Sequence, residues 1–110
     1  MNLKGSLPLL ILHILSKGTY HGYQINKIIA EASARSLTFK EGTLYPTLHK
    51  LEKDGYISAF DGIEAGRKRR YYQITESGIK ELSSSYGEWV QFYEAVQTII
   101  ERQDFDSMDV

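Results

Sequence analysis

The sequence contains no cysteine, only two prolines and one tryptophan. Without cysteine the chain has neither disulfide bonds nor thiolate metal ligands, so it must be held together by packing, and it fits a reducing compartment. The longest apolar run, residues 7–15, is interrupted by His13 and is far shorter than the ~20 residues of a membrane span. The first residues show no signal-peptide pattern. We therefore expect a cytoplasmic protein with no membrane partner.

The length of 110 residues, with 42% hydrophobic and 25% charged residues, is that of one soluble domain with a small core. The net charge is −1, but the charges are unevenly distributed. Residues 1–75 carry eleven Lys/Arg and six Asp/Glu, a net of +5, whereas residues 76–110 carry two and eight, a net of −6. A basic body that faces a polyanion would have this pattern, and so would two solvated surfaces with chance asymmetry.

Two helices are predicted in the first third of the chain. The first begins with Ser6 as its cap and Pro8 in its first turn, and it is apolar nearly all round until Gly18. Such a helix is expected at the centre of the domain. After a short connection at residues 19–22, an amphipathic second helix is predicted over residues 23–33.

A third helix is predicted between Thr38 and Gly55. Thr38 and Glu41 have the spacing of a capping box, and Gly55 stands where a left-handed C-terminal stop is expected. Pro46 lies inside the pattern, which predicts either a kink or a start delayed to Thr43. The face opposite the leucines of this helix carries polar or cationic side chains that suit a negatively charged groove, namely Lys40, Thr43, Tyr45, Thr47, His49 and Lys50.

A β-hairpin is predicted after the third helix, with strands at residues 56–60 and 67–74 and a loop at residues 61–66. The returning strand begins with four adjacent cations, residues 67–70, which repel one another but are favourable beside a phosphate backbone. Helices joined by a short turn and followed by such a hairpin form a winged helix-turn-helix. We therefore predict an α+β, mostly α fold with a winged-helix domain at residues 1–75.

A last helix, capped by Thr75, is predicted over residues 76–103 and is followed by a frayed acidic tail at residues 104–110. Its apolar residues follow alternating steps of four and three, which is a heptad seam: Leu82, Tyr86, Trp89, Tyr93, Val96 and Ile100. A helix of about 25 residues spans roughly 38 Å, which exceeds what a domain with a radius of gyration of ~13 Å covers. Part of the seam should project, and we expect a two-fold homodimer joined through this helix.

Five stretches carry a distinctive combination of residues: Leu-Leu-Ile-Leu-His-Ile-Leu at 9–15, His-Gly-Tyr-Gln-Ile at 21–25, Gly-Thr-Leu-Tyr-Pro-Thr-Leu at 42–48, Leu-Glu-Lys-Asp-Gly-Tyr-Ile at 51–57, and Gly-Arg-Lys-Arg-Arg-Tyr-Tyr-Gln-Ile-Thr-Glu-Ser-Gly at 66–78. In order and spacing they resemble the PadR family of transcriptional regulators over roughly residues 7–80. The short C-terminal helix with a central tryptophan resembles the small branch that includes multidrug-responsive repressors. The resemblance implies a homodimer that binds inverted repeats in promoter DNA and is released by small aromatic or drug-like compounds.

The expected contacts with DNA lie on the third helix and the hairpin. They are Lys40, Thr43, Tyr45, Thr47, His49 and Lys50 on the helix, and Arg67, Lys68 and Arg69 on the hairpin. Strand alternation sends Lys68 and Arg69 to opposite faces, so not all three hairpin cations would touch DNA. Tyr45 would bond a phosphate, or its ring would pack against the hairpin with its hydroxyl exposed. His49 would contact a base or only cover the surface.

Trp89 has two interpretations. It is either an anchor of the dimer interface or, as the resemblance implies, one of two symmetry-related rings between which a planar ligand stacks. The residues that would line such a pocket are Tyr86, Phe92, Tyr93 and Val96.

No cofactor, metal site or enzyme activity is expected. His13, His21 and His49 lie in different predicted elements, no acidic partner recurs near them at ligand spacing, and there is no phosphate-binding glycine loop. The alternative to a DNA-binding regulator is a winged helix that binds another protein and has no ligand.

Overall fold

The computed structural model describes residues 3–109, with side chains from residue 5 onward. Along the chain the elements are α1 (Leu3–Leu15), β1 (Tyr20–His21), α2 (Gly22–Ala32), α3 (Glu41–Lys53), β2 (Ile57–Glu64), β3 (Arg67–Ile74), α4 (Glu76–Glu101) and a 3₁₀ turn (Phe105–Ser107). The strands form one antiparallel sheet in the order β1-β3-β2. The predicted fold class, a mostly helical α+β winged helix, is confirmed. The ends of the proposed units at residues 1, 2 and 110 lie outside the described part.

The core forms around α1, which contacts α2, α3, α4 and β3. Leu7, Ile11 and Leu12 are at most 1% exposed, as expected for a central helix. The predicted cap at Ser6 is wrong, because α1 begins at Leu3 and Ser6 is a buried residue within it. Pro8 therefore lies in the second turn, where it removes one backbone hydrogen bond that the burial of the helix outweighs.

The start of α3 differs from the prediction, and its end agrees with it. The helix begins at Glu41 and its N-cap, Lys40, makes no side-chain cap bond, so the capping box at Thr38 is wrong. The physical reason is tertiary: Phe39 packs against the core, and its carbonyl accepts a 2.9 Å hydrogen bond from the Asn26 side chain, which keeps this segment outside the helix. The helix continues through Pro46, the sixth residue, so a start delayed to Thr43 is also wrong.

The end of α3 is a Schellman motif. Gly55 has a φ of +82°, its N–H donates to the Glu52 carbonyl at 3.0 Å, and the Tyr56 N–H donates to the Leu51 carbonyl at 3.0 Å. The left-handed stop predicted at Gly55 is confirmed.

The hairpin is longer than predicted. β2 pairs with β3 from Ile57 opposite Ile74 to Glu64 opposite Arg67. The predicted loop at residues 61–66 is therefore wrong, because only Ala65 and Gly66 turn, both with positive φ as a type I′ turn requires. The predicted connection at residues 19–22 likewise contains β1, which forms only because β3 lies beside it.

The start of α4 is fixed to the turn that follows α3. As predicted, Thr75 caps α4, because its hydroxyl accepts from the Gly78 N–H at 3.0 Å. The same hydroxyl donates to the Gly55 carbonyl at 2.6 Å. Gly78 is buried against Tyr56, and a Cβ at residue 78 would lie 2.0 Å from the Tyr56 carbonyl oxygen.

From this start α4 projects beyond the body. The chain measures 65 × 29 × 22 Å and its radius of gyration is 17.3 Å, above the ~13 Å of a compact chain of about 100 residues. In the tail, the Arg102 guanidinium bonds the Asp104 carboxylate at 2.7 Å and lowers the pKa of that carboxyl. Within residues 3–109, no helix is both long and apolar enough to cross a membrane.

Candidate nucleic-acid interface

α3 presents its polar side chains on the face opposite the core. Leu44, Leu48 and Leu51 are buried. Six of the nine residues predicted for DNA contact belong to the predicted third helix. Lys40, His49 and Lys50 are exposed, and Thr43, Tyr45 and Thr47 are half-buried. All six side chains therefore keep some exposed surface, whereas the three leucines are buried in the core.

Two of these side chains already have partners in α3 or at its C-cap. The Thr47 hydroxyl donates to the Thr43 carbonyl at 2.8 Å, which leaves its oxygen as an acceptor. Lys50 Nζ lies 3.3 Å from the Asp54 carboxylate, but its side chain is 77% exposed. Water screens a pair of this kind, so Lys50 can exchange it for another anion at little cost.

Tyr45 packs against the start of α2. A Cβ at Gly22 would lie 2.7 Å from both Cε1 and the hydroxyl oxygen of Tyr45, so only glycine allows the ring to approach this closely. The ring also borders the core. Tyr45 therefore packs against α2, and it also lies close enough to Tyr72 of the hairpin to contribute to the raised pKa of Tyr72.

The four adjacent cations of β3 have different surroundings. Arg67 and Lys68 are exposed, and neither forms an ion pair with the residues whose side chains the structure describes. Arg69 is half-buried, with its guanidinium carbon 5.9 Å from the centre of the Tyr23 ring. Its Nε is buried without a hydrogen-bond partner in that same part of the chain.

Arg70 links the wing, formed by β2 and β3, to α3. Its Nη2 lies 2.8 Å from the Glu52 carboxylate, which raises the pKa of the guanidinium above its usual value. Sequence reasoning missed this contact. The alternation of β3 gave a signal, because it places Arg70 on the same face as Tyr72, whose ring is 1% exposed and whose pKa is raised by burial.

The predicted aromatic site lies on α4. The rings of Tyr86, Trp89 and Tyr93 stack in sequence, with centroid distances of 6.5 and 5.4 Å and interplanar angles of 10° and 17°. Trp89 is half-buried, whereas Phe92, Tyr93 and Val96 are 42–51% exposed.

An apolar groove of about 770 Å³ runs between α1 and α4. Of the five residues predicted to line a ligand pocket or the dimer interface, two line this groove, Tyr86 and Trp89. Leu9, Leu10 and Leu82 supply much of its remaining wall. Phe92 borders a separate depression beside Pro8 and Leu9, and Tyr93 and Val96 border neither. Among the described residues, no group of three or more His, Asp or Glu side chains could hold a metal ion.

A helical body with a basic two-stranded wing beside its third helix is the architecture of winged-helix transcriptional regulators. Residues 11–84 match the transcriptional regulator PadR-like family, and the chain belongs to this family.

Three similar proteins are informative. A transcriptional regulator from Clostridium thermocellum has the same fold with a TM-score of 0.84 and 33% identity, covering 90% of this chain and 97% of that one. The transcriptional regulator Rv3488 of Mycobacterium tuberculosis is 36% identical over 68% of this chain and 67% of its own length. The negative transcriptional regulator PadR of Bacillus subtilis is 33% identical over 66% of this chain, which spans only 40% of that protein. Since the family and these relatives are transcriptional regulators, the expectation that the chain is not an enzyme is confirmed.

Proposed function

We propose that this protein is a homodimeric repressor that binds an inverted-repeat operator in double-stranded DNA and is released by a small aromatic or drug-like compound. The carrying observation is the Arg70–Glu52 ion pair at 2.8 Å, which holds the wing, with exposed Arg67 and Lys68, beside the polar face of α3. Two cationic elements in a fixed relation suit adjacent grooves of one duplex. Repression is inferred from the relative named a negative transcriptional regulator. A cytoplasmic location is inferred because the proposed partner is DNA.

In this proposal α3 enters the major groove and the wing follows the phosphate backbone or the minor groove. The residues assigned to DNA contact are Lys40, Thr43, Tyr45, Thr47, His49, Lys50, Arg67, Lys68 and Arg69. Arg67 and Lys68 are the strongest candidates because they are exposed. Arg69 would reach DNA only from above the Tyr23 ring, where its guanidinium can exchange the ring for a phosphate.

Dimerisation is proposed through the projecting part of α4. Tyr93, Val96 and Ile100 are 51%, 42% and 76% exposed, and they continue the stripe of Leu82 and Trp89. A second copy related by a two-fold axis would cover this stripe with the same stripe of its own α4, because a two-fold interface uses one surface twice. The two wings would then face one duplex.

The groove between α1 and α4 is the proposed entry for the effector. It is lined mostly by apolar side chains and is large enough for a drug-sized aromatic molecule. Trp89 and Tyr86 at its wall offer ring faces for stacking. Binding there would change the packing of α4 on α1 and so lower the affinity for DNA.

DNA binding is tested by titrating the purified protein against the DNA upstream of its own gene in a gel-shift series at increasing salt. We expect the affinity to fall at least about a hundredfold between roughly 50 and 200 mM salt, because Lys and Arg side chains that bind phosphates displace counterions from the DNA. An unrelated duplex of equal length is the control. Equal affinity for both duplexes would contradict a specific operator in that DNA. The absence of salt dependence would contradict DNA binding and favour a protein-binding winged helix.

Effector binding is tested by the fluorescence of Trp89, the only tryptophan in the chain. Planar aromatic compounds that stack on this ring should quench its emission and release DNA at similar concentrations. Trp89→Ala should lose the release while it keeps most DNA affinity. If no compound in a panel of planar drugs quenches the emission, the effector part of the proposal is wrong.

A further inference from the structure

The wing contacts the start of α2 through a buried histidine. His21 is 2% exposed and forms a capping box with Gln24. The ring Nδ1 of His21 accepts from the backbone N–H of Gln24 at 3.3 Å, and the backbone N–H of His21 donates to Gln24 Oε1 at 3.0 Å. Since Nδ1 is the acceptor, the ring proton of neutral His21 lies on Nε2. Nε2 is therefore a donor, and it contacts the carboxylate of Glu64.

Glu64 lies at the tip of the wing, opposite Arg67 and next to the turn. Strand alternation places it on the same face of the hairpin as Phe60 and Tyr71. Tyr71 stacks on Phe60 at 5.6 Å and meets the His21 ring edge-on at 5.4 Å. This face of the wing thus bends over the start of α2, and Glu64 is its outermost contact.

The position of this carboxylate is unexpected for a DNA-binding wing. It lies among the cations proposed to face phosphate, where a negative charge by itself repels DNA. A solvated glutamate at the tip would only lower the affinity. The contact with a buried donor gives the carboxylate a structural role. His21 is held by its capping bonds at the start of α2 and by the pairing of β1 with β3 at Tyr71, so it is a fixed anchor for the tip of the wing.

We propose that Glu64 is a positioning residue whose bond to His21 holds the wing tip over α2, so that Arg67 and Lys68 meet DNA at a fixed distance from α3. Its net effect on DNA affinity is then favourable despite its charge. This inference rests on the proposed function, and it assigns a role to a residue that sequence reasoning placed in a loop. Because the Glu64 side chain is 46% exposed, the effect is several-fold and not larger.

The test compares Glu64→Ala with Asp61→Ala. Both substitutions remove one negative charge from β2, but the Asp61 side chain is 81% exposed and its nearest cationic partner, Arg70, is 3.9 Å away and keeps its bond to Glu52. If charge repulsion alone acts, both variants bind the DNA upstream of the gene more tightly. We expect opposite signs: Asp61→Ala binds equally or up to about twofold more tightly, and Glu64→Ala binds about three- to tenfold more weakly. Equal or tighter binding by Glu64→Ala overturns the proposal.

Two further measurements separate positioning from general destabilisation. Glu64→Gln keeps an acceptor oxygen at the same reach, so it should restore most of the affinity that Glu64→Ala loses. In footprinting of the Glu64→Ala complex, protection by the wing from hydroxyl radicals should weaken, while protection of major-groove guanine N7 by α3 remains. Loss of both protections together, or no rescue by glutamine, contradicts the positioning role.

The double variant Arg67→Ala, Lys68→Ala shows which proposal fails in a negative result. If it binds DNA as the unchanged protein does, the wing is not part of the interface, and the proposed function is wrong at this element. If it binds more weakly while Glu64→Ala does not, the wing contacts DNA and only the role of Glu64 is wrong.

Discussion

The two halves of α4 share one heptad pattern of apolar residues but have different surroundings. In the first half, Gly78 is buried against Tyr56 and Leu82 packs against the core. In the second half every residue from 91 to 101 is exposed, including Val96 and Ile100. One apolar stripe runs through both. A heptad pattern therefore indicates which face of a helix must be buried, but not whether the same chain or another chain buries it.

The wing shows the same contrast on a smaller scale. Arg70 is held by Glu52 of its own chain, whereas Arg67, three residues earlier, is exposed and has no carboxylate partner among the described side chains. We infer that a cation paired within its own chain, such as Arg70, stabilises the fold, and that an exposed cation such as Arg67 contacts a partner molecule.

Gly78→Ala should remove the support of the first half of α4. The added methyl group would lie 2.0 Å from the Tyr56 carbonyl oxygen, a contact that only a backbone shift can relieve. We expect the free energy of unfolding to fall by more than about 3 kcal/mol in urea titrations.

The matched control for that change is Gly87→Ala in the same helix, where a Cβ meets nothing within 4 Å. It should raise stability by about 0.5–1 kcal/mol through helix propensity alone. Equal effects of the two substitutions would show that the close approach at residue 78 is not a structural constraint.

Val96→Glu should disrupt the proposed dimer interface on the second half of α4. A carboxylate buried between two copies of α4 has no partner, so we expect dimer dissociation to become about a hundredfold easier, measured by analytical ultracentrifugation. The control is Gln91→Glu, which adds the same charge on the opposite face of the same exposed stretch. A monomer in the unchanged protein at micromolar concentration would refute the dimer itself.

Arg67→Ala and Arg70→Ala should weaken DNA binding in different ways. A residue that contacts phosphate contributes to the salt dependence, so Arg67→Ala should reduce the slope of log affinity against log salt by about one for each protomer. Arg70→Ala should leave that slope nearly unchanged and bind a few-fold more weakly, because it loosens the wing from α3 through the loss of the bond to Glu52. Identical slopes for the two variants would remove the distinction between them.

Periodicity and turn chemistry were sufficient to predict the fold class, the central position of the first helix, the stop at Gly55 and the cap at Thr75. They failed where a distant residue decides the local structure. β1 has two residues and exists because β3 pairs with it. Thr38 does not cap α3 because Phe39 packs against the core. A single sequence gives no direct signal of such pairings.

The same limit applies to the candidate interface. The composition of α3 and the charges of β3 indicate which residue types could meet DNA. Which of these charged residues have a partner in the same chain depends on contacts between distant positions. Arg70 contacts Glu52, 18 residues earlier, and Glu64 contacts His21, 43 residues earlier. Strand parity predicts the face on which each lies, but only the folded chain shows what lies opposite.

A single residue, Thr75, separates the end of β3 from the start of α4, and its hydroxyl also bonds Gly55. No flexible linker therefore separates the wing from α4, so a rotation of α4 moves the wing with it. For a helix of 26 residues, roughly 39 Å long, a tilt of about 5° corresponds to a displacement of about 3 Å between its ends. In the proposed dimer the far ends of the two α4 helices are joined. A slight repacking at the aromatic rings would therefore change the distance between the two DNA-binding surfaces, which would then no longer match the helical repeat of the duplex.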